Sequence, residues 1–173
     1  MRVLAIPRNR INAFKSEVLK QVGERGSVSL SLDKDAGSIS IESLGENGGS
    51  EWIAEQVLRA VALGFEPKHA FKLFNDDFFL EEIDLKQALG KEKAIERQKA
   101  RVIGSEGKVK KTIEALSGAF LAISGDSIAV LGRFEDLKLA KDAVYQLLEG
   151  KQVSTVYGFL EKYSKLEKQK LWK

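Results

Sequence analysis

Between two predicted helices the sequence reads Arg101-Val-Ile-Gly-Ser-Glu-Gly-Lys-Val109, with glycines at positions 104 and 107. Glycine lacks a Cβ atom, so the backbone at both positions can turn sharply and approach a ligand closely. The turn also opens a helix, whose first N–H groups and positive dipole end favour a phosphate group. This stretch therefore predicts a phosphate-binding turn.

Basic side chains surround the turn. Lys93, Arg97 and Arg101 are four residues apart, so they share one face of the preceding helix. Segment 86–111 carries nine lysines or arginines against three glutamates, although the net charge of the whole chain is only +3. Glu106 is an exception inside the turn, because its carboxylate should repel phosphate. We expect a polyanion to meet the chain at segment 86–111 rather than over its whole surface.

The chain contains the same order of elements twice. Apolar residues at helical spacing are followed by two short alternating stretches, at 28–32 and 39–41 in the first copy and at 119–123 and 128–130 in the second. Such alternation is typical of half-buried strands, and the short turns between them predict antiparallel hairpins. An apolar strand opens each copy and a helix ending at glycine closes it. The sequence therefore predicts an α+β fold with two tandem copies of the order β-α-α-β-β-α.

The expected boundaries follow from this repeat. The second copy is predicted to open with a strand in which Phe78, Leu80, Ile83 and Leu85 are the apolar positions. We expect a first module at residues 1–64, a connecting helix or linker at 65–77, a second module with the glycine turn at 78–150, and a basic C-terminal helix at 151–173.

The second copy resembles a type I KH domain in its element order and in the turn Val102-Ile-Gly-Ser-Glu-Gly-Lys-Val109. In that family the Gly-x-x-Gly loop clamps about four nucleotides of a single strand, and the bases lie over an apolar groove. The resemblance offers Ile103, Val109, Leu121 and Ile123 for the floor of that groove, and each also suits a core position. The candidate RNA-binding residues are Arg97, Arg101, Ile103, Gly104, Ser105, Glu106, Gly107, Lys108, Lys110 and Lys111.

The first copy departs from this pattern. Ala13-Phe-Lys-Ser16 stands where the glycine turn would fall, and Phe14 and Lys15 cannot adopt glycine geometry without strain. We expect a degenerate KH-like module here, suited to a scaffold or protein-binding role.

The whole layout is similar to the archaeal and eukaryotic Krr/Dim/Pno-type tandem KH proteins of small-subunit rRNA processing. The stretches that carry the likeness are 82–85, 101–107, 128–132, 140–143, 148–150 and 155–161. The resemblance implies a ribosome biogenesis factor that binds the single-stranded 3′ region of small-subunit rRNA through its second module. It also implies a Nob-type endonuclease and the α subunit of a translation initiation factor as partners.

Composition excludes several other classes of function. The absence of cysteine excludes disulfides and thiolate chemistry, and a single histidine, His69, argues against a zinc cluster or a catalytic triad. No P-loop or nucleophile–base pattern is present, so we expect no enzyme activity, no cofactor and no metal. Without an apolar run of 18 residues or a signal peptide, we expect no membrane contact and a cytoplasmic location.

One alternative stays open. Glu106, the low net charge and the degenerate first copy are also typical of a protein adaptor whose KH folds mainly bind processing or translation factors. A steep loss of RNA affinity with salt favours direct phosphate contact over that alternative.

The C-terminal segment predicts a helix from about Val153. Val156, Phe159, Leu160 and Tyr163 form an apolar stripe, and lysines occupy much of the remaining surface. The pattern fits a docked helix with a solvated basic face, and it also fits an additional arm that contacts phosphate.

Overall fold

The computed structural model describes residues 1–46 and 48–170, with side chains up to residue 166. Contacts divide the chain into two compact units, Met1–Leu80 and Glu81–Lys173. Part of the predicted basic helix, the side chains of residues 167–170 and all of residues 171–173, lies outside the described residues.

The first unit is built on a three-stranded sheet. Its elements are β1 (Arg2–Ala5), α1 (Ser16–Gly26), β2 (Val28–Asp33), β3 (Ser38–Ser43), α2 (Ser50–Leu63) and α3 (Pro67–Ala70), with 3-10 turns at Arg8–Ala13 and Phe71–Phe74. The strand order is β1-β3-β2, and β3 pairs antiparallel with both neighbours. Ile39 lies opposite Leu4 and Leu32 in this register and is fully buried. Alternation along the strands therefore turns one face of the sheet towards the core.

The second unit repeats this plan. Its elements are β4 (Phe78–Asp84), whose first three residues belong to the first unit, α4 (Leu85–Leu89), α5 (Glu92–Ile103), α6 (Lys108–Ser117), β5 (Phe120–Ser124), β6 (Ser127–Arg133), α7 (Phe134–Leu148) and α8 (Val153–Lys170), with a 3-10 turn at Ser105–Gly107. The strand order is β4-β6-β5, so the last strand of each copy is again central. The predicted α+β class with two tandem modules is confirmed.

The two copies differ at the position of the predicted turn. Where the second has α5 and the glycine turn, the first has only the 3-10 turn at Arg8–Ala13 before α1. Phe14 follows that turn and is 4% exposed, so its ring belongs to the core. The missing helix and the buried ring agree with a degenerate first module.

One detail of the predicted strand is wrong. The strand ends at Asp84, and Leu85 begins α4 instead of continuing the strand. The physical reason is a helix cap, because the Asp84 side chain accepts a hydrogen bond from the Gln87 backbone N–H at 3.1 Å.

The C-terminal helix docks on the second unit. Val156 and Leu160 of α8 are fully buried and join the same core as Ile113 of α6 and Val144 of α7. Burying a side chain of this size contributes about 1.5–3 kcal/mol, so these two residues of the predicted apolar stripe account for the docking. Tyr163 of the same stripe is 44% exposed. Over the described residues, no helix has the length and apolar character needed to cross a membrane.

Candidate nucleic-acid interface

The glycine turn has a backbone that only glycine adopts easily. Gly104 ends α5 with φ 73° and ψ 174°, a region nearly closed to other residues. Its N–H still donates to the Ala100 carbonyl at 2.9 Å, so the helix is intact up to the turn. A Cβ on Gly104 would lie 2.8 Å from the backbone nitrogen of Val109. Glycine is therefore required at position 104 for both its dihedral angles and its contact with Val109.

The second half of the turn is left-handed. Glu106 has φ 57° and Gly107 has φ 74°, and the Gly107 N–H donates to the Gly104 carbonyl at 3.2 Å. A glutamate in this conformation costs about 1–2 kcal/mol relative to glycine. The turn is therefore held by its ends, with Ser105 and Glu106 exposed at its tip.

The turn opens directly into α6. Gly107 is the N-cap of this helix, and it carries no side chain that could cap the first N–H groups. Lys108 and Lys111 lie exposed in the first turn, beside the positive end of the helix dipole. The Lys108 N–H donates to the Ser105 carbonyl, and the helix dipole and the exposed lysines remain to attract the phosphates of a nucleic acid.

The structure brings most of the predicted site residues together at the turn. Arg97 is exposed but lies seven residues before Gly104, about 10 Å back along α5. The exposed candidates are Arg97, Ile103, Ser105, Glu106, Lys108 and Lys111, and the partly buried ones are Arg101, Gly104, Gly107 and Lys110.

The proposed groove floor divides into two kinds of residue. Ile103 is 37% exposed, and Ile123 is half-buried. Val109 and Leu121 are buried and belong to the core cluster of the second unit. Only Ile103 and Ile123 thus offer apolar surface that a base could cover.

Arg101 is used inside the protein. Its guanidinium donates at 2.6 Å to the carbonyl of Leu147 at the end of α7 and at 2.6 Å to the carbonyl of Lys151. The Leu147 carbonyl also accepts a hydrogen bond from the Gly150 N–H at 3.0 Å, and Lys151 lies between α7 and α8. Arg101 therefore joins the last turn of α5 to the junction of α7 and α8.

Sequence reasoning missed Glu114. Its Oε2 accepts a hydrogen bond from the Leu121 N–H at 3.1 Å, and its Oε1 lies 3.6 Å from Lys110 Nζ. The i,i+4 spacing of Lys110 and Glu114 could have indicated the ion pair. The contact with Leu121 depends on how α6 meets β5, which spacing alone does not show.

The first module lacks this arrangement. Phe14 fills the core where the turn would be, and Arg10 donates to the Val61 carbonyl at 2.9 Å. Phe14 at this position and Arg10 shortly before it thus take part in packing and hydrogen bonding within the module.

The second module matches the model of a known protein family. A family model described as eukaryotic type KH-domain (KH-domain type I), for the second KH domain of PNO1, matches residues 79–165. The matched stretch contains the whole turn and all ten candidate residues.

Relatives extend the similarity over nearly the whole chain. A KH domain-containing protein of Methanocaldococcus jannaschii is 35% identical over 99% of this chain and 75% of its own length. The pre-rRNA-processing protein pno1 of Aspergillus fumigatus is 32% identical over 67% of this chain and 47% of its own length. The chain thus spans about half the length of that fungal relative.

A solved structure shares both modules. The complex of a/eIF2alpha, aDim2p and rRNA from Pyrococcus horikoshii contains a chain that superposes with a TM-score of 0.86 at 29% identity. The match covers 95% of this chain and 93% of that chain.

Proposed function

The chain belongs to the PNO1 family of type I KH-domain proteins, an RNA-binding, pre-rRNA-processing family, and on this premise we propose that its second module binds single-stranded small-subunit rRNA. The contact lies at the turn Gly104–Gly107, with the 3′ region of the rRNA as the target. The protein acts by binding, as a small-subunit assembly factor, and carries out no catalytic step itself.

The observation that supports this proposal most is the geometry of the turn. Gly104 and Gly107 take positive φ values, and the uncapped start of α6 follows at once. Lys108 and Lys111 are exposed there, and Ile103, which directly precedes the turn, is 37% exposed. A single strand with unstacked bases needs a site for its phosphates beside an apolar surface for its bases, and the turn and Ile103 provide these two features.

In the proposed complex the candidates have different roles. Lys108, Lys110 and Lys111 attract phosphate, the turn brings the strand against the positive end of α6, and Ile103 supports a base. Arg101 contributes by positioning α5, because its guanidinium is bonded to Leu147 and Lys151. Arg97 adds to the positive potential at the turn from a distance of about two helical turns.

Partners form the second part of the proposal. The Pyrococcus relative was solved with a/eIF2alpha and rRNA, so we propose that this chain also binds the α subunit of a translation initiation factor. A Nob-type endonuclease remains a separate expectation from the family, to be tested by pull-down with the purified endonuclease. A cytoplasmic location belongs to the same proposal, since translation factors act there.

The adaptor alternative is favoured by one observation, the degenerate first module with Phe14 in its core. We propose that the first module, which residues 65–77 connect to the second, binds a protein partner and does not clamp RNA.

Fluorescence anisotropy with a labelled oligonucleotide from the 3′ end of small-subunit rRNA tests the RNA contact. The double variant Ser105→Asp/Glu106→Asp adds one negative charge at the tip of the turn, and aspartate tolerates the left-handed conformation there. We expect affinity to fall at least about tenfold, as one lost charge-assisted phosphate contact would cause.

The matched control is Ser31→Asp, which adds the same charge on an exposed position of β2 in the first module. It should leave RNA affinity unchanged. If the unaltered chain has no RNA affinity at low salt, the adaptor alternative is favoured. If Ser105→Asp/Glu106→Asp and Ser31→Asp lose RNA affinity equally, the RNA contact does not lie at the turn.

A further inference from the structure

A carboxylate covers the open edge of the second sheet. β5 is the last strand in the order β4-β6-β5, so one of its edges has no neighbouring strand among the described residues. The N–H of Leu121 on this strand donates to Glu114 Oε2 at 3.1 Å, while Lys110 Nζ holds the other oxygen at 3.6 Å. Glu114 therefore bridges α6 and the edge of β5.

This contact changes what the edge offers to a ligand. A bare strand edge presents N–H donors and C=O acceptors in alternation. With Glu114 on the Leu121 N–H, that donor is occupied, and the remaining lone pairs of the carboxylate take its place. An ionised carboxylate only accepts hydrogen bonds. The edge is thereby converted at this point from a donor to an acceptor.

The carboxylate is within reach of a strand held at the glycine turn. Glu114 lies six residues after Lys108, about 9 Å along α6. Four stacked nucleotides span about 10 Å at the rise of a single nucleic-acid strand. The side chain of Glu114 is 23% exposed and that of Lys110 34%, so a ligand can touch both.

We propose that Glu114 is a base-reading residue that selects an amine-bearing base, cytosine or adenine, over uracil. The exocyclic amine of cytosine or adenine donates to the free lone pairs of the carboxylate, as acidic side chains do to the cytosine amine in DNA. Uracil presents a carbonyl oxygen at the same place, and two acceptors repel each other. Lys110 orients the carboxylate. The inference rests on the proposed RNA contact at the turn.

Octamers of cytidine and uridine provide the probe, because these two pyrimidines differ at the position in question, amine against carbonyl. For the unaltered chain we expect about tenfold tighter binding of the cytidine octamer, within the range of one good base contact. In Glu114→Gln the amide oxygen can still accept from the Leu121 N–H, but its NH₂ group is a donor. The preference should then shrink to less than about threefold or reverse in favour of uridine.

The control is Glu161→Gln, which removes the same charge from an exposed position on α8. It should leave the ratio of the two affinities unchanged. A purely structural Glu114 would lower the melting temperature of Glu114→Gln without altering that ratio, and this result would overturn the inference. An unaltered chain that binds both octamers equally would also overturn it.

The two proposals fail in different ways. If the RNA contact lies elsewhere, Ser105→Asp/Glu106→Asp will bind both octamers as the unaltered chain does. If only the role of Glu114 is wrong, this double variant will lose both octamers while Glu114→Gln keeps the original preference.

Discussion

A Cβ atom on Gly104 would stand 2.8 Å from the backbone nitrogen of Val109. The chain doubles back so tightly at the turn that the start of α6 lies against the end of α5. The corresponding atom on Gly107 would have Lys111 Cε as its nearest neighbour, at 3.9 Å. Gly104 is thus required for both space and backbone conformation, and Gly107 for backbone conformation alone.

Gly104→Ala should therefore destabilise the protein far more than Gly107→Ala. The first variant meets both the contact with Val109 and unfavourable dihedral angles, for a cost of at least about 3 kcal/mol. The second meets only the left-handed conformation, at about 1–2 kcal/mol. Urea unfolding of the two variants measures the difference, and equal midpoints would contradict this account of the turn.

Glu106→Asn should improve both stability and RNA binding. Asparagine tolerates the left-handed conformation at φ 57° better than glutamate, and it removes a negative charge from the tip of the turn. We expect a higher melting temperature and an affinity for single-stranded RNA raised by about two- to fivefold, as expected for one exposed charge. Weaker binding would mean that the Glu106 carboxylate contributes to recognition.

Salt dependence should separate the cations that touch phosphate from the one that positions α5. Lys108→Ala/Lys111→Ala should reduce the slope of log affinity against log salt by about 0.7 for each lysine. Arg101→Met should leave the slope unchanged and lower stability by about 1.5–3 kcal/mol, because Leu147 and Lys151 lose a charged donor. A smaller slope in Arg101→Met would show that its guanidinium leaves these carbonyls to bind phosphate.

The stability of the first module should depend on Glu51 at neutral pH but not in acid. The Ser43 backbone N–H donates to Glu51 Oε1 at 2.8 Å, and this bond holds the pKa of Glu51 below its ordinary value of 4.5. A lowered pKa stabilises the folded state above pH 4.5, and the contribution is lost as pH falls through the folded-state value. Glu51→Gln should thus be less stable than the unaltered chain at pH 7, and the difference should close as the pH falls below 4.5 and through the lowered pKa of Glu51. A gap of constant size in urea unfolding would contradict this origin.

Features that depend on neighbouring residues could be predicted from the sequence. The glycine turn and the two hairpins each follow from a local pattern, and a repeat of that pattern predicts a repeated fold. The predicted strand extends one residue too far, because Leu85 is apolar like the strand positions before it, whereas a helix cap at Asp84 ends the strand.

Features that depend on tertiary contact could not be predicted. The spacing of Arg101 predicts a cation on the basic face of the helix before the turn. Its hydrogen-bond partners Leu147 and Lys151 are 46 and 50 residues away in the chain, so the sequence does not reveal them. Glu114 belongs to no recognised motif, and its bridge from α6 to the edge of β5 is seen only in its hydrogen bond to Leu121. The spacing of residues predicts which face of a helix a side chain occupies. It does not identify the strand or the helix end that the side chain contacts.

Photocrosslinking to the 3′ region of small-subunit rRNA, followed by mapping of the crosslinked peptides, shows which residues the RNA contacts. We expect the dominant crosslinks on residues 103–111, around Gly104 and Gly107, and we expect them to disappear in Ser105→Asp/Glu106→Asp. Dominant crosslinks on residues 1–64, unaffected by that variant, would contradict this expectation.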